Sequence, residues 1–235
     1  MTERRSGSLS RDADSLAIGR SELWWNGRAL TIQLDEITAP WPSRIRGRIT
    51  LHPQALAHHV ELLAADGRHC WQPIAPCARV EVKLDAPAAS WNGMAYLDSN
   101  SGDSPIEDAF TGWHWSRSSL RDGSAVLYDS TRRSGERDVL ALHFDTQGRT
   151  TRFEPPASVA LPGTGWRIRR ETRADDPRAT VAETLEDTPF YARSVIESKL
   201  RGERAIGVHE SLDLDRFRQP IVQAMLPFRM PRARR

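Results

Sequence analysis

Five residues combine types and spacing that could do acid–base work away from water: His69 and Trp71, then Tyr96, Asp98 and Asn100. Residues two apart on a strand share a face. His69 and Trp71 would therefore point one way from one strand, and Tyr96, Asp98 and Asn100 one way from another. If both strands line a barrel interior, an acid, an imidazole, a phenol and an indole meet among aromatic side chains. Trp91, Trp113 and Trp115 lie in the same part of the chain. A carboxylate among Trp, Tyr and Leu carries a desolvation cost unless it is paired or protonated. Asp98 is thus the residue hardest to explain as scaffold. Packing on one face of a strand accounts for Trp113 and Trp115 about as well as function does.

Other chemistries fail on spacing. His209-Glu210-Ser211-Leu212-Asp213 begins like a zinc-protease helix but has Asp where the second His belongs. Gly163-Thr164-Gly165 lacks the third glycine of a dinucleotide loop. No Gly-x-Ser-x-Gly nucleophile elbow occurs. The run from Asp98 to Ala109 lacks both the turn glycine and the bidentate glutamate of a calcium loop. His58, His59, His69, Cys70 and Cys77 match no pair of zinc knuckles, so no metal is expected. Cys70 and Cys77 read as small apolar side chains.

The elements that must position these residues are strands. Asn26-Gly27, Asp66-Gly67, Asn92-Gly93, Asp122-Gly123, Ser134-Gly135 and Gln147-Gly148 read as turns. Between them the period is two: Leu30, Ile32 and Leu34; Val80, Val82 and Leu84; Leu140, Leu142 and Phe144. Many short strands with regular turns argue for a sandwich or barrel, and 15 prolines disfavour long helices. One helix is expected near the end. Asp213 or Asp215 would cap it, with a stripe of Leu214, Phe217, Ile221, Val222, Met225 and Leu226, and Pro220 would break it in two. A composition shift at residues 111–123 marks the best domain boundary, giving 1–112 and 113–235.

With 235 residues, 39% hydrophobic and 27% charged, the chain is of ordinary globular composition. A net charge of +2 provides no global field for nucleic acid, and none is expected as a partner. No apolar run approaches the roughly 20 residues of a membrane helix. Residues 1–14 lack the apolar region of a secretory signal. A chain in a reducing compartment, the cytoplasm, is the default. After Asp215 the tail carries Arg216, Arg218, Arg229, Arg232, Arg234 and Arg235 and no acid. It reads either as a frayed terminus or as a peripheral contact with an anionic membrane.

The run Tyr96-x-Asp98-x-Asn100-x-Gly102-x-x-Pro105-Ile106-Glu107-x-x-Phe110-x-x-Trp113-x-Trp115-Ser116-Arg117 resembles the signature of the carotenoid 1,2-hydratases, or hydroxyneurosporene synthases. Asp35 to Pro40, Trp71 to Pro76, Leu185 to Arg193 and His209 to Phe217 are similar to that family too, so the resemblance covers nearly the whole chain. It implies two lipocalin-like β domains. It also implies addition of water, with no cofactor, to the terminal 1,2 double bond of an acyclic carotenoid of the neurosporene or lycopene type. The inner photosynthetic membrane becomes the place of any peripheral contact. The family's His-x-Trp and Tyr-x-Asp pairs match His69, Trp71, Tyr96 and Asp98, with Asp98 as proton donor; Asn100, Trp113 and Trp115 would contact substrate. In the mechanism this implies, Asp98 protonates C2, Trp71 and Tyr96 stabilise a tertiary cation at C1, and water held by His69 attacks it. The chain departs from the family at Ser101, where a bulky residue is usual. It also opens at Met1-Thr2-Glu3-Arg4, which resembles an internal stretch, so an incomplete first domain is expected. Two other classes fit the same residues: a carrier of hydrophobic ligands, and another proton-initiated terpenoid enzyme. A sugar-binding sandwich ranks below these.

Overall fold

The computed structural model describes residues 6–38, 41–64 and 66–229, with side chains described through Leu226. Strands dominate. The first eight are β1 (Leu9–Arg11), β2 (Ser15–Ile18), β3 (Ser21–Trp25), β4 (Leu30–Ile37), β5 (Arg44–Pro53), β6 (Glu61–Leu62), β7 (His69–Ala86) and β8 (Ala88–Gly102). They form one sheet in the order β1-β2-β3-β4-β5-β7-β6, with β8 also paired to β7. A single helical turn, α1 (Ile106–Ala109), leads to β9 (Phe110–Leu120), β10 (Gly123–Arg132), β11 (Arg137–Asp145) and β12 (Thr150–Arg152). Then come β13 (Ser158–Leu161), β14 (Arg170–Arg173), β15 (Thr180–Asp187), β16 (Tyr191–Leu200) and β17 (Glu203–Asp213). The second sheet runs β12-β11-β10-β9-β17-β16-β15, and β13 pairs with β14 alone. The expectation of an all-β chain ending in a short helix holds.

Contacts divide the chain into two units. One takes the stretch up to Leu56, Ala75–Leu97 and the segment from Gln223; the other takes Ala57–Ile74 and Asp98–Val222. The expected boundary between residues 112 and 113 lies inside β9, all of whose residues from Gly112 to Leu120 pair in one sheet. Five of the six expected turns join or precede strands. Asn92-Gly93 does not: it lies inside β8.

Burial follows the sequence pattern where only one face is covered. In β7, Val80 and Val82 are buried between exposed Arg79, Glu81 and Lys83. In the first unit these strands enclose Leu51, Ala75 and Ala78, with Leu30, Ala95 and Leu97 against them. In β4 the most buried residue is Thr31 rather than Leu30 or Ile32. In β11, Ala141 and His143 are buried along with Leu140, Leu142 and Phe144, because both faces of that strand are covered.

Among the described residues, two apolar clusters lie in the second unit. Ala125, Leu127, Ala141, Leu200 and Ala205 form one; Leu161, Ala174, Ala179 and Ile196 form the other. The same unit also buries a polar set: Asp129, Arg170, Thr172, Ser194, His209 and Ser211. Arg173 grips Asp129 with two bonds of 2.8 and 2.9 Å and donates a third, 2.8 Å, to the Pro156 carbonyl. Removing one partner of a desolvated pair strands the other charge. Arg173→Met is expected to lower the unfolding free energy by about 3 kcal/mol, read as a fall in the urea midpoint. An unchanged midpoint would show that water already compensates Asp129.

The terminal helix breaks at Pro220, as expected. Asp213 caps α2 (Leu214–Phe217) by accepting the Arg216 N–H at 2.9 Å, and Pro220 opens α3 (Pro220–Arg229). Leu214 and Val222 are buried, whereas Ile221 and Met225 of the expected stripe face outward. Among the described residues no helix is long and apolar enough to cross a membrane. The basic residues Arg232, Arg234 and Arg235 lie outside the described residues.

Candidate active site

The start of β7 alternates strictly. His69, Trp71, Pro73 and Ala75 are buried, and Cys70, Gln72 and Ile74 are less so. Trp71 is wholly inaccessible, and a buried indole N–H needs an acceptor. It has one: Trp71 Nε1 donates to Asp98 Oδ2 at 2.7 Å. The two motifs that the sequence singled out, 27 residues apart, therefore meet directly. Asp98 is half-buried on β8. Tyr96, half-buried, and Asn100, exposed, lie two residues either side of it on that strand.

Around this bond the rings interlock. Trp71 meets Tyr128 edge-on with centroids 5.9 Å apart, and Tyr128 packs tilted against Trp113 at 6.0 Å. Trp115 lies opposite Tyr128 in the β9–β10 register and opposite Glu210 in the β9–β17 register. Cross-strand partners and residues two apart share a face. One face of the second sheet thus carries Trp113, Trp115, Tyr128 and Glu210; the other carries His114, Ser116, His209 and Ser211. Burial holds the Tyr128 phenol well above the ordinary tyrosine range, and the charges of Asp98 and Glu210 add to this. Glu210 in turn accepts two bonds from Arg193, at 2.8 and 3.0 Å. The Tyr191 phenol is also held high, by burial first and then by the charge of Glu210.

His69 belongs to a neighbouring group. It is buried, its Nε2 lies 3.1 Å from Ser104 Oγ, and its ring sits edge-on to Phe110 at 5.6 Å. Gly102, at the end of β8, makes this possible. A Cβ there would lie 2.6 Å from His69 Nδ1 and 2.9 Å from the Arg68 carbonyl oxygen. The glycine of the Tyr-x-Asp-x-Asn-x-Gly run is therefore explained by a close approach of β8 to the imidazole. Cys70 is half-buried and Cys77 buried, and His59 Nε2 pairs with Glu61 at 2.9 Å.

Tyr128, Glu210, Gly102 and Ser104 were not singled out from sequence as part of the site. For Tyr128 a signal existed. A tight turn at Asp122-Gly123 sets the β9–β10 register, and counting back from it places Tyr128 opposite Trp115. Glu210 gave no comparable signal, because β17 reaches β9 from far along the chain.

The arrangement is an acid anchored by an indole, beside a buried phenol and walled by further indoles. Such a set can present a carboxyl group to a hydrocarbon and shield a developing positive charge with π faces.

Residues 1–235 match the family described as carotenoid hydratase CrtC. The chain is 54% identical over 234 residues to the acyclic carotenoid 1,2-hydratase of Thiocapsa roseopersicina, covering 99% of this chain and 58% of that one. It is 48% identical over 235 residues to the acyclic carotenoid 1,2-hydratase of Rubrivivax gelatinosus, again covering 99% and 58%. Against the Cereibacter sphaeroides protein of the same name, identity is 38% over 234 residues, with 99% and 84% covered. The chain thus spans 58% of the length of the first two relatives. Among solved structures, a putative AttH from Nitrosomonas europaea superposes with a TM-score of 0.56 at 12% identity, over 88% of this chain and 72% of that one. CghA with Sch210972 gives 0.54 at 11%, over 87% and 73%. At such identities only the fold is shared, and it is the lipocalin-like all-β fold expected from the sequence. The match over every residue, with identities up to 54%, places this chain in the carotenoid hydratase family.

Proposed function

We propose that this chain carries the site at which water is added to the terminal 1,2 double bond of an acyclic carotenoid, giving a tertiary 1-hydroxy product. The observation that carries the reading is the 2.7 Å bond between Trp71 and Asp98 inside an aromatic cluster. With Oδ2 accepting from the indole, the acid proton in this scheme is carried on Oδ1. Asp98 donates it to C2; the π pair of C1=C2 becomes the new C2–H bond, and C1 is left as a tertiary cation. The π faces of Trp71 and Tyr96 stabilise that cation, at roughly 0.5–2 kcal/mol each. Water then forms the C1–O bond and gives up a proton. His69 acts by fixing the end of β8, through Ser104 and Phe110. Asn100, Trp113 and Trp115 contact the polyene, whose binding is mostly burial of hydrocarbon at about 0.8 kcal/mol per CH₂ equivalent. The supporting name comes from relatives that act, by their description, as acyclic carotenoid 1,2-hydratases.

The reaction run in D₂O on a neurosporene- or lycopene-type substrate tests this. One deuterium is expected at C2 of a product hydroxylated at C1. A ring product, an unchanged carotenoid complex, or a tertiary alcohol without label at C2 would each overturn the proposal.

A further inference from the structure

Hydration needs a group to hold the water and take its proton. His69 was the sequence-based candidate, but its Nε2 is engaged with Ser104 Oγ and its Nδ1 lies against Gly102. Tyr128 is differently placed. Only 5% exposed, it is clamped between Trp71 and Trp113, and Trp71 is the residue that holds the acid. A phenol so placed calls for a hydrogen-bond partner, a role that the attacking water would fill. Burial, with the charge of Glu210 adding to it, also keeps the phenol in its O–H form.

We infer that Tyr128 is a catalytic residue whose hydroxyl holds the attacking water beside Asp98 and passes its proton on. This rests on the hydration reading above. After Asp98 has given its proton to C2, a lone pair of the water forms the C1–O bond. The proton released from that oxygen goes to the phenol oxygen, and the phenol proton goes to the Asp98 carboxylate. The acid is restored, the phenol is unchanged, and the net reaction adds one water. No electron acceptor is needed.

Tyr128→Phe keeps the ring and removes the hydroxyl. Hydration is expected to fall about 100-fold, with KM within about twofold because the aromatic wall remains. The deciding readout is exchange. In D₂O the variant still protonates C2, but the uncaptured cation loses a proton and returns to alkene. Recovered substrate should gain deuterium at C2 faster than alcohol forms, whereas the wild type should show mainly alcohol. Such exchange also reports an intact acid site in the variant. Tyr128→His, which restores a group able to accept and donate, should recover hydration at least about tenfold over the Phe variant. Hydration by the Phe variant within about threefold of wild type, or exchange falling in step with hydration, overturns the inference. If the wild type itself forms neither alcohol nor labelled substrate, the hydration reading fails, and Tyr128 loses its role with it.

Discussion

Asp98→Asn should reduce hydration by about 1,000-fold or more, within the range that general acids contribute. The reasoning turns on what the substitution keeps. The amide oxygen of Asn can still accept the Trp71 N–H that now bonds Asp98 Oδ2 at 2.7 Å. Trp71 keeps its partner, so its buried N–H is not orphaned, and the stack of Trp71, Tyr128 and Trp113 is held as before. What disappears is a proton that can be transferred, since a neutral amide is no acid toward an alkene. Carotenoid binding, followed by quenching of tryptophan fluorescence, should stay within about twofold, because it rests on buried hydrocarbon area. The urea midpoint should also hold. The loss therefore belongs to turnover alone, measured as 1-hydroxy product in a single-turnover assay. Turnover of the Asn variant within about tenfold of wild type would remove Asp98 as the acid. A collapse of binding and stability would recast the carboxyl as scaffold.

How much of this was legible beforehand depends on distance along the chain. Local features read well. The break at Pro220 and the cap at Asp213 appear as expected, since both depend on neighbours within a turn. Asp122-Gly123 and Ser134-Gly135 reverse the chain where the pattern placed them. Asn92-Gly93 has the same composition but lies in mid-strand, because β8 pairs with the 18-residue β7 and the chain has no cause to turn there. Faces were legible and neighbours were not. Period two showed that His69 and Trp71 share a side, yet nothing local says that the indole meets Asp98 while the imidazole meets Ser104. That sorting is set by register between β7 and β8, and by Gly102, whose missing side chain admits the His69 ring. The remote partners of the second sheet, Glu210 on β17 opposite Trp115 on β9, depend on a pairing that spans most of the domain.

His209 shows how a failed motif can carry a different meaning. Its sequence context suggested, and then excluded, a metal ligand; in the fold it is wholly buried, on the face of the second sheet opposite the proposed acid. Its Nε2–H donates to the Glu171 carbonyl at 2.9 Å, and its Nδ1 is buried without a partner among the described residues. Protonation would place a charged N–H on that unpartnered side. Its ring also stacks on His114, 6.1 Å away and 14° from parallel. Burial is the main force pushing His209 down to about 4; the Glu171 carbonyl opposes it, and His114 and Arg170 reinforce it. Burial lowers His114 as well, against the pull of the Glu171 and Asp129 carboxylates and with the push of Arg137 and Arg169. The sign follows from which state takes the proton. The unfolded chain protonates this imidazole near the ordinary histidine value of 6.5, whereas the folded chain resists until about 4. Stability from this group is therefore complete above that upper value and drains away as pH falls through the interval, by about 3 kcal/mol in all. Urea midpoints from pH 7 to pH 4.5 should fall more steeply for the wild type than for His209→Gln. The amide of Gln can donate to the same carbonyl but takes up no proton. The difference between the two slopes should amount to about 2–3 kcal/mol over that interval. Parallel slopes would mean that water enters the second sheet's polar interior and hydrates the imidazolium, which would make that interior far wetter than the packing of Ser194, Ser211 and Thr172 indicates.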